Sequence, residues 1–239
     1  MDIKDYKLIA HRGLYNNKEG IVENTIKAFN KAIEKGYAIE LDVQILKDGN
    51  LIVFHDDNLL RLTGINKRVY DSTLEYIKSV NLLNTNEKIP TLKEVLDTVL
   101  GKVPLVIEIK SGIFSHGIEK KLYDVLKEYN GKFCIESFNP FSVLWFKNNA
   151  SLVPRGLLTT KNYSSFKKFL ISITNNLSFT NKLLKLDFLA CNYKNINSKL
   201  IKRTKNSKIY LFAYTINNEK EYEKLKDICD GIIFENFIP

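Results

Sequence analysis

Residues 38–55 read AIELDVQILKDGNLIVFH, and the way this stretch folds decides the architecture of the chain. Two apolar runs, 38–46 and 51–55, are separated only by KDGN at 47–50. A parallel crossover needs about a dozen residues or more, whereas Asp48-Gly49 suits a tight hairpin. The second run therefore folds back antiparallel on the first. Outward from this hairpin, apolar runs recur at 7–11, 104–110, 132–138, 155–159, 186–192, 208–216 and 230–236. With 38–46 they give eight candidates for parallel strands.

Helical segments or long connections separate these strands. Ile26, Phe29 and Ile33 repeat at helical spacing within 23–36, and Gly36 follows as a cap. Thr91 with Glu94 three residues on predicts the start of a helix at 91–101. Further helices are expected at 117–131, after Pro140, near 195–205 and near 218–228. Eight βα units in 239 residues predict an α/β chain, a (β/α)8 TIM barrel in a single domain. A doubly wound sheet lacks the glycine-rich phosphate loop that would support it. Residues 56–88 form a polar excursion, a small insertion after the second barrel strand. The connection 160–185 is unusually long. Its Phe166, Phe169, Leu170, Ile173 and Leu177 share one helical face, with Lys167, Lys168 and Lys182 nearby. It reads as an outer barrel helix or as a basic element resting on a membrane or covering the active site.

Composition is that of an ordinary globular protein, 44% apolar and 26% charged, so disorder is not expected. A net charge of +9 suits anionic partners. No zinc-finger spacing or RNA-binding aromatic signature appears, so nucleic acid is not expected. Cys134, Cys191 and Cys229 are odd in number and far apart, as buried free thiols in a reducing compartment would be. The opening residues MDIKDYKLIAHRG have no apolar signal-peptide core, and no run reaches the length of a membrane span. The expected location is cytoplasmic, with peripheral membrane contact through 160–185 as the one alternative.

In such a barrel the active site lies at the C-terminal strand ends. His11 and Arg12 end the first strand, and His55 and Asp56 end the antiparallel one. Glu40 and Asp42 share one face of their strand, as do Glu108 and Lys110, because side chains alternate with period two. Three converging carboxylates repel one another unless a cation sits between them. All-oxygen donors suit one hard divalent cation, Ca²⁺ or Mg²⁺. Internal salt bridges with Arg12 and Lys110 are the competing reading, but five core-facing charges at one end of a barrel are costly for structure alone. Two imidazoles beside a cation fit a general acid and a general base. Arg12 and Lys110 are suited to hold a phosphate. Phosphodiester cleavage needs this inventory: neutralised charge and a proton for the leaving oxygen. His116, in a loop or at a helix start, reads as structural.

The ordered set AHRG (10–13), ENTIKAF (23–29), ELDV (40–43), KDG (47–49), VFHDDNLLRLTG (53–64), IPTLKEVL (89–96), IEIK (107–110) and SFNP (137–140) resembles the glycerophosphodiester phosphodiesterase family. RGLL (155–158), YTIN (214–217) and DGII (230–233) are weaker matches. The resemblance implies a TIM barrel that cleaves glycerophosphodiesters to an alcohol and glycerol 3-phosphate. It implies His11 and His55 as the catalytic pair, Glu40, Asp42 and Glu108 as ligands of Ca²⁺ or Mg²⁺, and Arg12 and Lys110 as phosphate contacts. Ser137, Phe138 and Tyr214 are assigned to the substrate side. Val22, Tyr214 and the FEN at 234–236 depart from the family's usual residues, the last two where they bear on the head group. The partner implied is a small glycerophosphodiester. A lysolipid substrate at a membrane surface, as for a lysophospholipase D, and a catalytically silent phosphate-binding barrel are the two rival readings.

Overall fold

The computed structural model describes residues 2–112, 116–159 and 177–239. In chain order its first half holds β1 (Leu8–Ala10), α1 (Ile26–Glu34), β2 (Ala38–Ile45), β3 (Leu51–Val53), α2 (Leu60–Thr63), α3 (Leu74–Ser79), α4 (Leu92–Val99), β4 (Leu105–Ile109) and α5 (Ile118–Leu126). The second half holds β5 (Phe133–Ser137), α6 (Pro140–Asn149), β6 (Arg155–Thr159), α7 (Leu177–Leu184), β7 (Phe188–Asn192), α8 (Ser198–Ser207), β8 (Tyr210–Ile216), α9 (Glu219–Leu225) and β9 (Gly231–Phe234). The fold is a (β/α)8 barrel, with β3 the added antiparallel strand. Every strand expected from the sequence is present.

The described residues fall into two compact units, 10–132 and 1–9 with 133–239. In the second of these the strand order is β1-β9-β8-β7-β6-β5. Its pairs β5–β6, β6–β7, β7–β8 and β8–β9 are parallel. Val143, Leu157, Leu177, Leu184, Leu186, Leu189 and Ile209 form one apolar cluster between its helices and strands. Helix α7 turns Leu177 and Leu184 into that cluster, while Phe179 and Leu183 face outward. The rest of the basic amphipathic element, 160–176 with Phe166, Phe169, Leu170 and Ile173, lies outside the described residues.

In the unit 10–132 the strand order is β4-β2-β3. All eight residues of β2 are buried, as a strand covered on both faces must be. β2 runs parallel to β4 with Asp42 opposite Glu108. It runs antiparallel to β3, with Val43 opposite Val53 and Ile45 opposite Leu51. The hairpin turns on Gly49, whose φ of 82° favours glycine. Asp48 accepts hydrogen bonds from the backbone N–H of Asn50 and of Leu74, at 3.2 and 2.7 Å, and so ties the turn to the start of α3.

The excursion 56–88, polar by sequence, has an apolar underside. Leu59, Leu62, Val69, Ile77 and Leu82 are buried against Ile52, Phe54, Leu46 and Val22. Its helices are only four and six residues long, so no window carries enough apolar repeats to reveal that face. Thr91 and Glu94 form the expected capping box, and Pro140 opens α6. The three cysteines are buried. Among the described residues no helix is long and apolar enough to cross a membrane.

Ile77 is fully buried in the cluster beneath the excursion. Ile77→Ala is expected to cost about 2–5 kcal/mol in urea unfolding. A cost below about 0.5 kcal/mol, the range of ordinary surface changes, would show that the excursion does not pack as described.

Candidate active site

The site begins where β1 stops. The chain turns through Arg12, φ 56°, and Gly13, φ 78°, two successive left-handed residues. A Cβ on Gly13 would lie 2.9 Å from a backbone carbon of Ala28, so space as well as conformation demands glycine. Arg12 has no such freedom, and its left-handed conformation costs roughly 1–2 kcal/mol. Two hydrogen bonds hold it there: its N–H donates to Glu40 Oε2 at 2.9 Å, and its carbonyl accepts from Asn24 N–H at 2.9 Å. Asn24, itself left-handed, donates from its side chain to Asp42 Oδ2 at 2.8 Å. Thr25 then caps α1 by accepting from Ala28 N–H. The short run Glu23-Asn24-Thr25 thus binds an arginine, a buried aspartate and a helix end in turn.

The hairpin supplies the next group. Beyond Asp42, β2 runs on to Ile45, and β3 returns until Phe54 N–H donates to the Asp42 carbonyl at 2.9 Å. His55 is therefore brought back beside the carboxylates of β2. Gln44 fixes the loop around it, its side-chain amide donating to the carbonyls of Phe54 and Asp56, both at 2.8 Å. His55 Nδ1 lies 2.6 Å from Asp56 Oδ1. His11 Nε2 stands 3.9 Å from Glu40 Oε2.

Glu40, Asp42 and Glu108 each place a carboxylate oxygen within 4.8 Å of the others, and all three are buried. Lys110 Nζ lies 2.9 Å from Glu108 and 3.5 Å from Asp42, and Arg12 Nε lies 3.5 Å from Asp42. The ion pairs of the competing reading therefore exist, yet they leave the cluster incomplete. Asp42 Oδ1 and Arg12 Nε are buried without a hydrogen bond. Arg12 spends its Nη1 on Glu23, at 2.6 Å. Glu23 and Asp56 in turn share Arg61. Five carboxylates (Glu23, Glu40, Asp42, Asp56 and Glu108) thus face three cationic side chains, Arg12, Arg61 and Lys110. With all five carboxylates ionised and both imidazoles neutral, these side chains are two charges short, the charge of one divalent cation.

The proton affinities carry the same imbalance. Burial pushes the Glu108 carboxyl up to about 7, with Asp42 adding to the rise and Lys110 opposing it. Burial would also raise Asp42, but Lys110, His55, Arg12 and His11 together hold it well below the ordinary carboxylate range. Both imidazoles therefore act on the same carboxylate. His55 lies below its usual value, chiefly from burial and then from Lys110 and Arg12, against the pull of Asp42 and Asp56. The donor set fits a hard divalent cation: all oxygen, one buried oxygen without a hydrogen bond, and a charge deficit of the right size.

Other expected residues lie in the remainder of the chain. Ser137 Oγ accepts from Asn139 N–H at 3.1 Å. Phe138 and Tyr214 meet edge to face, 6.2 Å between centroids, and Tyr214 Oη donates to the Thr159 carbonyl at 2.9 Å. His116 stacks on Tyr70 with 4.0 Å between centroids. Sequence reasoning gave no role to Glu23, Asn24, Gln44, Asp56 or Arg61. Gln44 was reachable, since it continues the period-two face of Glu40 and Asp42.

Fold and site together define a (β/α)8-barrel enzyme with a candidate all-oxygen cation centre. The chain belongs to the glycerophosphoryl diester phosphodiesterase family, whose sequence model matches residues 11–238. It is an enzyme of that class, a phosphoric diester hydrolase. A glycerophosphodiester phosphodiesterase of Caldanaerobacter subterraneus is 36% identical over 96% of this chain and 93% of its own length. A human lysophospholipase D is 31% identical over 52% of this chain, which spans 42% of that protein. Among solved structures, a glycerophosphodiester phosphodiesterase of Thermotoga maritima is 26% identical with a TM-score of 0.74, covering 96% of this chain and 94% of its own. An Oleispira antarctica phosphodiesterase, solved with its product sn-glycerol-3-phosphate, shares the fold with a TM-score of 0.77 at 24% identity, covering 96% and 92%.

Glu23 lies below its ordinary 4.5; burial opposes this, and the hydrogen bonds and charges of Arg61 and Arg12 overcome it. A depressed carboxyl contributes stability that is present above its unfolded value and is lost as pH falls through its folded one. Glu23→Gln should therefore flatten the acid limb of a stability-against-pH curve below about pH 4.5. At pH 7 it should cost about 1–3 kcal/mol, because the part-buried Arg12 loses its closest partner. Urea unfolding of both proteins between pH 3 and 7 makes the comparison, and parallel curves would refute the assignment.

Proposed function

We propose that this chain hydrolyses glycerophosphodiesters to an alcohol and glycerol 3-phosphate, with one Ca²⁺ or Mg²⁺ held by Glu40, Asp42 and Glu108. The observation that carries this reading is the buried acid trio, set in a cluster two charges short of neutrality with both imidazoles in electrostatic reach of Asp42. A bound divalent cation would supply the missing charge and draw electron density from the phosphoryl oxygens. Lys110, relieved of Glu108 and Asp42, and Arg12, relieved of Asp42 but still held by Glu23, donate to the diester's oxygens and orient it. His55 keeps its proton on Nδ1 and donates it in a hydrogen bond to Asp56, which leaves Nε2 free to accept a proton from the attacking oxygen, that of water or of the glycerol 2-hydroxyl. Its lowered proton affinity keeps it neutral near pH 7, as a base must be. His11 supplies the proton to the departing alcohol.

His11→Ala and His55→Ala should each lower kcat by about 10²-fold or more, the usual loss for a missing acid or base. Far-UV circular dichroism of both variants should match the parent. Glu108→Gln should weaken Mg²⁺ and Ca²⁺ binding in isothermal titration calorimetry. The deciding assay follows glycerol 3-phosphate release from glycerophosphocholine after chelation and after each cation is restored. Lysophosphatidylcholine runs beside it, because a lysophospholipase D is among the relatives. Release should stop on chelation, return with the cation and favour the deacylated substrate. Preference for the acylated one would transfer the reading to lysolipids. Absence of cation-dependent release from any diester in a panel would end it.

A further inference from the structure

Arg61 belongs to the excursion, of which the proposed chemistry uses only Asp56. Its guanidinium forms two paired sets of bonds. Nη1 and Nη2 donate to Glu23 at 2.8 and 2.7 Å, and Nε and Nη2 donate to Asp56 at 2.5 and 3.1 Å. Each carboxylate holds something further in. Glu23 accepts from Arg12 at 2.6 Å, and Asp56 lies against His55 Nδ1 at 2.6 Å. One half-exposed side chain thus stands behind a phosphate-binding candidate and an acid–base candidate at once.

The placement of Arg61 is firm. Asn58 accepts from Leu60 N–H at 2.9 Å at the start of α2. Leu62, next in sequence, is buried in the apolar cluster beneath the excursion. The Leu62 carbonyl accepts from Leu83 N–H at 2.8 Å. Stability accounts for the Glu23 side of the fork, since that carboxylate is buried, but not for the Asp56 side, where a pair of this exposure is worth about 0–1 kcal/mol and needs no second arm. Only a planar guanidinium can hold both carboxylates in pairs; an ammonium is a single point of charge.

We infer that Arg61 is a positioning residue, which through Asp56 and Glu23 sets the His55 ring and the Arg12 guanidinium in register. The inference rests on the roles proposed for His55 and Arg12. Fixing the acceptor behind an imidazole selects its tautomer and its orientation, and outer partners of this kind typically change activity about 10–100-fold. The excursion is then what joins the two groups, since it carries Arg61 on the short helix α2.

The test combines turnover with the imidazole nitrogen spectrum, which is readily assigned because the chain has three histidines. Arg61→Gln and Arg61→Lys are measured beside the parent. In the parent, His55 should carry its proton on Nδ1. In Arg61→Gln its nitrogen shifts should move toward a mixture of tautomers, and kcat/KM should fall roughly 10–100-fold. Arg61→Lys should recover only part of both. A staple that merely holds the excursion down would lower Tm and leave the His55 signals and turnover as they were, and that result overturns the inference. Full turnover in Arg61→Lys overturns it too. His55→Ala separates this failure from that of the underlying reading. If His55→Ala is inactive while Arg61→Gln is not, only the positioning role falls. If His55→Ala retains turnover, the acid–base assignment falls with it.

Discussion

Asp42 is fully buried, its Oδ1 makes no hydrogen bond, and its close cations, Arg12 and Lys110, are shared with other acids. A buried charge in this position is tolerated only when every neighbour is arranged around it. Much of the unit 10–132 can be understood as that arrangement. Asn24 donates to one oxygen, Lys110 stands off the other, and Arg12 comes alongside in a conformation that costs free energy. The opposition of Asp42 and Glu108 across β2 and β4 crowds like charges that no fold would assemble for stability alone. The strain makes sense as preorganisation: the charges are in place before anything binds, so little reorganisation is left for the reaction.

The surroundings of His55 have the same character in a weaker form. His55 is not simply near the acids. Gln44 brackets its backbone, Asp56 sits behind its ring, and Arg61 sits behind Asp56. The outermost member, Arg61, is also the most exposed, so the positioning of a part-buried ring ends on a residue at the surface of the excursion. The long chain of contacts begins at residue 12 and passes through residues 23, 61, 56 and 55, and no single segment of sequence contains it.

This explains what could be seen in the sequence and what could not. Strands were legible because their apolar runs are short and bounded, and because KDGN is too brief for a crossover. The acid trio was legible because period two alone puts Glu40 with Asp42 and Glu108 with Lys110 on common faces. Glu23, Asn24 and Arg61 were not assigned, although their stretches were noticed. They lie in loops or in a one-turn helix without periodicity, and Glu23 meets Arg61 across 38 residues. The left-handed Arg12 had no sequence signal, because arginine, unlike glycine, does not announce that conformation. The apolar underside of 56–88 escaped for a related reason: its buried residues are spread across turns.

The hairpin between β2 and β3 also constrains how this protein can change over evolutionary time. Most loops of a barrel can lengthen at little cost, because closing a longer loop loses only modest entropy. Here the returning strand is in register with Asp42, and a slip of one position turns every side chain to the opposite face. One added or deleted codon between Lys47 and Asn50 would present Phe54 or Asp56 where the imidazole now stands. New specificities should therefore arise by growth of the segment that follows the imidazole, while the turn that precedes it keeps its length across descendants.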